Sequence, residues 1–248
     1  MPLTLPTFLH APNIAVPHAF TTRIGGVSPA PYASLNLGLS SGDRQANVAT
    51  NRARALDAFG SHADQCCAFH QIHSARVVRA KATYFEEEAD ASISDDPSLT
   101  LIVSTADCAP ILFHDPVQGV VAAAHCGWRG TVKGMVNAVL DMFADYGSQM
   151  ENVHAAIGPG ISRPNYQVGA EVIKAFTEAG FPETIYEPDG TGRYLLDVAA
   201  ANRYLLERRG VGNIWQSEMC TYADPTRFYS HRRDKGRTGR HWALIKLA

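Results

Sequence analysis

Residues 100–130 read TLIVSTADCAPILFHDPVQGVVAAAHCGWRG, and the fold turns on this stretch. Three runs in it (residues 100–105, 110–114 and 119–124) are apolar and partly β-branched, the composition of buried central strands. Asp115-Pro116 with Gly119 supplies a turn between the last two runs, which predicts a hairpin. Beyond it, Val132, Met135, Val136, Val139, Leu140 and Phe143 recur at helical spacing. One helix over residues 131–145 is therefore expected, with Gly147 as its stop.

Towards the N-terminus, residues 18–22 (HAFTT) read as a first strand, followed by a long loop over residues 23–42. Loops of that length in a compact domain are usually functional or disordered. This one carries Ser34-Leu35-Asn36-Leu37-Gly38, too apolar for a solvated linker, so it is expected to fold back over something. Asp43 is placed to cap a helix over residues 45–59, and short strands follow at residues 66–71, 75–79 and 89–94. Towards the C-terminus a strand is expected at residues 153–157, helices at 169–179 and 197–209, and strands at 214–216 and 241–247. No repeat, low-complexity segment or linker interrupts the chain. The expectation is a single α/β domain over residues 1–248, a mixed sheet with flanking helices, its strands too irregularly spaced for a βαβ barrel.

A chain of 248 residues with 46% hydrophobic content can bury a large core. Net charge −2 and a pI near 6.5 provide no basic field for a polyanion, which argues against nucleic acid or an anionic membrane as partner. The opening MPLTLPTFLHAPNIAVP lacks a charged start and an unbroken apolar run. Five cysteines without framework spacing point to reduced thiols and a cytoplasmic setting.

Three segments place polar groups where apolar strands stop: Gln71-Ile72-His73-Ser74, residues 105–110 around Asp107-Cys108, and His125-Cys126-Gly127-Trp128-Arg129-Gly130. If the hairpin forms, Cys108 and His125 are neighbours at its open end. A thiol beside an imidazole is either an activated nucleophile or a pair of metal ligands. Arg129, expected just before a helix, is a candidate anion contact, as are Arg232 with Arg233 in SHRRD and, more weakly, Arg44.

The motifs HAFTTRIGGVS (residues 18–28), SLNLG (34–38), Gly42-Asp43, Gln71-Ile72-His73-Ser74, TADC (105–108), HCGWRG (125–130), Gly158-Pro159-Gly160-Ile161, Tyr166-Gln167-Val168-Gly169 and Arg232-Arg233-Asp234 together resemble the YfiH-like family. That family was long labelled laccase-domain or multicopper polyphenol oxidase. The resemblance implies an α/β fold related to the catalytic domain of cytotoxic necrotizing factors, and a zinc site made by His73, Cys108 and His125. It also implies a purine nucleoside phosphorylase acting on adenosine, inosine, guanosine and methylthioadenosine with phosphate, and an adenosine deaminase activity. For that chemistry Asp107 is the candidate proton shuttle beside Cys108 and His125. Asn36, Arg44, Gln71, Arg129 and Arg232 are the candidate substrate and phosphate contacts. An alternative drawn from the same family is a peptidoglycan-editing amidase on a mis-aminoacylated cell-wall precursor. A multicopper oxidase is disfavoured, because 10 histidines with no His-x-His pair do not supply several copper sites, although copper loading in vitro is unsurprising. A monomer and a homodimer are both compatible with the sequence. One departure stands out: Cys126 replaces the small residue usual in the family, and as a strand neighbour of His125 it is expected to point the other way, into packing.

Overall fold

The structure, a computed structural model, describes residues 4–81 and 83–248, so the first three residues of the N-terminal stretch read above lie outside it. The expected hairpin is its centre. Ala109–Asp115 pairs antiparallel with Val120–Cys126, with Asp115 opposite Val120, Leu112 opposite Ala123 and Pro110 opposite His125. Around it a mixed six-stranded sheet runs in the order Asn213–Gln216, His154–Ile157, Ala109–Asp115, Val120–Cys126, Ala91–Ser94, Val77–Arg79. A second mixed six-stranded sheet runs Phe8–Leu9, His18–Thr21, His241–Ile245, Thr100–Thr105, Cys66–His70, Thr83–Glu88.

Two-residue periodicity sends alternate side chains to opposite faces, and each face finds its own core. Leu112, Val121, Ala123 and Ala156 of the hairpin sheet pack against Phe20, Leu101, Val103 and Ala243 of the other, forming the seam between sheets. Ile111, Phe113, Ala122 and Ala124 face outward onto the helices Met135–Asp145, Ala170–Glu178 and Val198–Arg208. On the far side Ile102, Trp242 and Leu244 pack against Ala55 and Leu56 of the helix Gln45–Phe59. The order of layers is helix, sheet, sheet, helix. Fully burying a side chain such as Phe113 contributes about 1.5–3 kcal/mol, which is why apolar residues dominate these strands.

The long loop folds back as expected: Leu35 and Leu37 are fully buried between Trp242 and the helix Gln45–Phe59. Two expectations need correction, and one sheet was not anticipated. The single helix over residues 131–145 is two pieces, Trp128–Val132 and Met135–Asp145, because Gly134 takes the left-handed conformation at φ 86° between them. The residue capping the helix Gln45–Phe59 is Arg44, without a side-chain cap bond; the Asp43 carboxylate instead accepts from Ser28, Asn36 and the Arg44 N–H. A small third sheet, Gln167–Val168, Tyr194–Leu196 and Tyr186–Pro188, had no clear signal in its short strands. Among the described residues no helix is long and apolar enough to cross a membrane.

Candidate metal centre

The chain leaves one sheet at Thr105 and enters the other at Ala109, so residues 106–108 bridge the mouth of the seam. Asp107 takes the left-handed conformation in this turn, at φ 88°, a region Asp enters more readily than most residues. Both of its carboxylate oxygens anchor the turn: Oδ1 accepts from the Thr221 hydroxyl at 2.6 Å and Oδ2 from the Arg232 backbone N–H at 2.7 Å. The turn delivers Cys108 next to His125, the last inward-facing residue of Val120–Cys126. His73 comes from the turn after Cys66–His70, with φ 57°.

One ligand atom from each of His73, Cys108 and His125 lies within 4.8 Å of the others. The two imidazole rings meet edge to face with centroids 4.8 Å apart. Burial alone would raise the Cys108 thiol; the charge of His125 and hydrogen bonds from His125 and His73 outweigh it and bring it down to about 6. Burial likewise lowers His125, but the Cys108 thiolate and the Asp90 carboxylate prevail and raise it to about 9. One thiolate sulfur with two imidazole nitrogens and an open side is a donor set suited to zinc or copper. Gly127 is part of the construction: a Cβ there would sit 2.7 Å from the Cys108 Sγ and 3.4 Å from His73 Cδ2.

Cys126 points to the helix side of its sheet, fully buried among Met135 and Val136, and burial pushes its thiol well above the ordinary range. It packs, as alternation along the strand predicts. Cys66 and Cys67 are buried thiols raised to about 11, and all five cysteines are free.

The three ligand candidates border a cavity of about 710 Å³. Asp107, Gln71, Arg129 and Arg232 also line it. The guanidinium of Arg129 lies 4.4 Å from the Trp128 ring centre, and that of Arg232 lies 4.9 Å from the Tyr166 ring. Gln71 reaches the wall but its amide is paired at both ends with the Ser104 backbone, at 2.8 and 2.7 Å. Arg233 is turned away from the cavity by Asp234 and the carbonyls of Thr221, Tyr222 and Phe228.

Two expected contacts are absent from the wall. Asn36 is fully buried; its amide donates to Ser41 and Asp43 and accepts from the N–H groups of Gly38 and Arg240, so it shapes the loop instead of meeting a ligand. The loop it shapes does reach the cavity, through Gly38, Leu39 and Ser40. Arg44 is exposed at the start of Gln45–Phe59, outside the lining.

Sequence reading missed three residues here. Tyr166 and Arg240 line the cavity, and Arg240 is brought there by the last loop before His241–Ile245. Asp90, buried at 1% exposure, accepts from His125 Nδ1–H at 2.9 Å. Nothing flags Asp90 in the sequence, where it follows the acidic run Glu86-Glu87-Glu88 and reads as more of the same solvated charge.

Residues 17–248 match the family described as multi-copper polyphenol oxidoreductase laccase. A purine nucleoside phosphorylase of Deinococcus radiodurans is 49% identical over 240 residues, 96% of this chain and 92% of the relative. The purine nucleoside phosphorylase YfiH of Escherichia coli is 39% identical over 228 residues, 92% of each. The crystal structure of YlmD from Geobacillus stearothermophilus superposes with a TM-score of 0.90 at 32% identity, covering 96% of this chain and 94% of that one. With the central hairpin, every strand but the short edge strand Phe8–Leu9, and the loops that form the mouth inside the matched region, this chain belongs to the multi-copper polyphenol oxidoreductase laccase family and, within it, to the YfiH/YlmD group.

Proposed function

We propose that the chain is a zinc-dependent purine nucleoside phosphorylase that cleaves adenosine, inosine, guanosine and methylthioadenosine, with adenosine deamination as a side activity of the same site. The observation that carries this reading is the convergence of His73, Cys108 and His125 on a cavity that also presents Arg129 and Arg232. The names of the relatives support the reaction class.

In phosphorolysis a phosphate oxygen bonds to the sugar C1′ while the C1′–N bond to the purine breaks. His73, Cys108 and His125 would hold zinc, which supplies a Lewis acid for a substrate oxygen. Arg129 and Arg232 bind the phosphate. Each guanidinium lies over an aromatic ring, which orients it and leaves N–H edges for an anion. Trp128 and Tyr166 line the cavity and offer apolar ring surface beside a purine. Asp107 anchors the turn through Thr221 and the Arg232 N–H, and each of its oxygens keeps a second lone pair, so the carboxylate at the cavity wall serves as the proton shuttle.

A second reading, an amidase for a mis-aminoacylated cell-wall precursor, draws on the Cys108 thiol lowered beside His125, a nucleophile paired with a base. The oxidase implied by the family's description needs several copper positions, whereas the described residues group into one cluster of three or more candidate ligands.

Chromatography of zinc-loaded protein with adenosine, inosine or methylthioadenosine, with and without phosphate, tests the proposal against Cys108→Ala. Free base and sugar 1-phosphate should appear only with phosphate and with Cys108 intact. Free base formed equally by Cys108→Ala, or no free base at all, overturns it. Phosphate-independent release of an amino acid from a nucleotide-linked precursor would move the assignment to the amidase.

A further inference from the structure

Asp90 stands immediately before the strand Ala91–Ser94 and is buried between the two segments that carry the histidines. Its carboxylate accepts five hydrogen bonds. Oδ1 receives the His73 N–H at 3.0 Å and His125 Nδ1–H at 2.9 Å. Oδ2 receives the Ile72 N–H at 3.2 Å, the Ser74 N–H at 2.7 Å and the Ser74 hydroxyl at 2.7 Å. The Asp90 carbonyl also accepts the backbone N–H of His125, at 2.7 Å. A carboxylate has about four lone-pair sites, so this one is saturated and has no room for a substrate.

Two consequences follow from the arrangement. The bond to His125 Nδ1 leaves Nε2 as the nitrogen available on the side of Cys108 and His73. The three consecutive N–H groups of residues 72–74 converge on the same carboxylate, and this convergence closes the turn in which His73 stands at φ 57°. One buried anion therefore bonds the ring of His125 on a strand and the backbone of His73 in the turn after Cys66–His70.

We propose that Asp90 is the positioning residue of the metal centre: it sets the ring nitrogen that His125 presents and holds the His73 turn in register with it. This inference rests on reading His73, Cys108 and His125 as metal ligands. A neutral amide at position 90 would keep one acceptor oxygen and turn an NH₂ towards groups that are themselves donors. The two imidazoles would then lose their common reference.

The test is zinc affinity by chelator competition, together with the visible spectrum of the cobalt-substituted protein, for wild type, Asp90→Asn, Asp90→Glu, Ser74→Ala and Cys108→Ala. Asp90→Asn should bind zinc about 10–100-fold more weakly than wild type, the range typical of lost outer partners of metal ligands. Its bound cobalt should show altered bands, which a loss of fold stability alone would not produce. Asp90→Glu, which restores the charge, should recover part of the affinity. Equal affinity and an identical cobalt spectrum in Asp90→Asn overturn the proposal. If Asp90→Asn does not fold, Ser74→Ala decides: it removes one of the donors and should weaken zinc binding, and an unchanged affinity overturns the proposal. A wild type that binds zinc no better than Cys108→Ala overturns the ligand assignment itself, an outcome distinct from wild type and Asp90→Asn binding equally well.

Discussion

Gly127 and Cys108 compete for one space: a Cβ on Gly127 would lie 2.7 Å from the Cys108 sulfur. The backbone of Gly127, at φ −70° and ψ 167°, is one that alanine adopts freely. The glycine is therefore required by the thiol and not by the chain conformation.

Gly127→Ala should accordingly fold with native secondary structure while moving the sulfur off its position. Zinc affinity should fall about tenfold or more, comparable with the loss of an outer partner of a metal ligand. Chelator competition and far-UV circular dichroism on the same sample would check this. A variant with wild-type affinity would show that the sulfur need not stay where the structure has it.

Arg129 and Arg44 separate a cavity cation from a surface one. A charge-assisted hydrogen bond to an anion is worth about 1.5–3 kcal/mol, so Arg129→Ala should raise the KM for phosphate by roughly tenfold or more. Arg44→Ala, on an exposed residue outside the lining, should leave phosphate KM unchanged. Initial rates at saturating nucleoside and varied phosphate give both values. An effect of Arg44→Ala as large as that of Arg129→Ala would place the phosphate elsewhere.

His241 makes stability depend on pH. It is buried against Phe228 and Tyr229, and its Nε2 accepts the Tyr229 N–H at 2.8 Å, which requires a neutral ring. Burial, reinforced by the Arg23 guanidinium, pushes it from 6.5 down to about 3. The unfolded chain thus takes up this proton first. The contribution of His241 is complete above pH 6.5 and is lost as pH falls towards 3, at up to about 1.4 kcal/mol per pH unit. His18 and His114 are lowered by burial too and add to the trend. The discriminating comparison is therefore urea unfolding of wild type and His241→Gln between pH 7.5 and roughly 4.5. The variant's stability should fall less steeply, and parallel curves would refute the assignment.

Much of this architecture was legible along the chain. The apolar runs 110–114 and 119–124 with the turn at Asp115-Pro116 and Gly119 gave the hairpin, and alternation along the strand put His125 and Cys126 on opposite faces, separating the candidate ligand from the packing thiol. The stripe ending at Phe143 identified the main helix, although its break at Gly134 was invisible because a glycine inside an apolar stripe reads equally well as a tolerated interruption. Asn36 looked like a polar group presented by a functional loop. Its true partners, Asp43 and the Arg240 N–H, include one 204 residues away, which no local pattern reveals.

By itself the sequence determined the central hairpin, the meeting of Cys108 with His125 at its open end, and the family to which the motifs point. Local signals suffice for these, because an apolar run, a turn dipeptide and a contiguous motif are each written within a few consecutive residues. Only the tertiary structure decided that Asp90 lies between His73 and His125, that Gln71 and Asp107 are held by the protein, and that Arg129 and Arg232 share one cavity. Each of these depends on hydrogen bonds or packing between segments far apart in the chain, and they exist only once the two sheets have closed on each other.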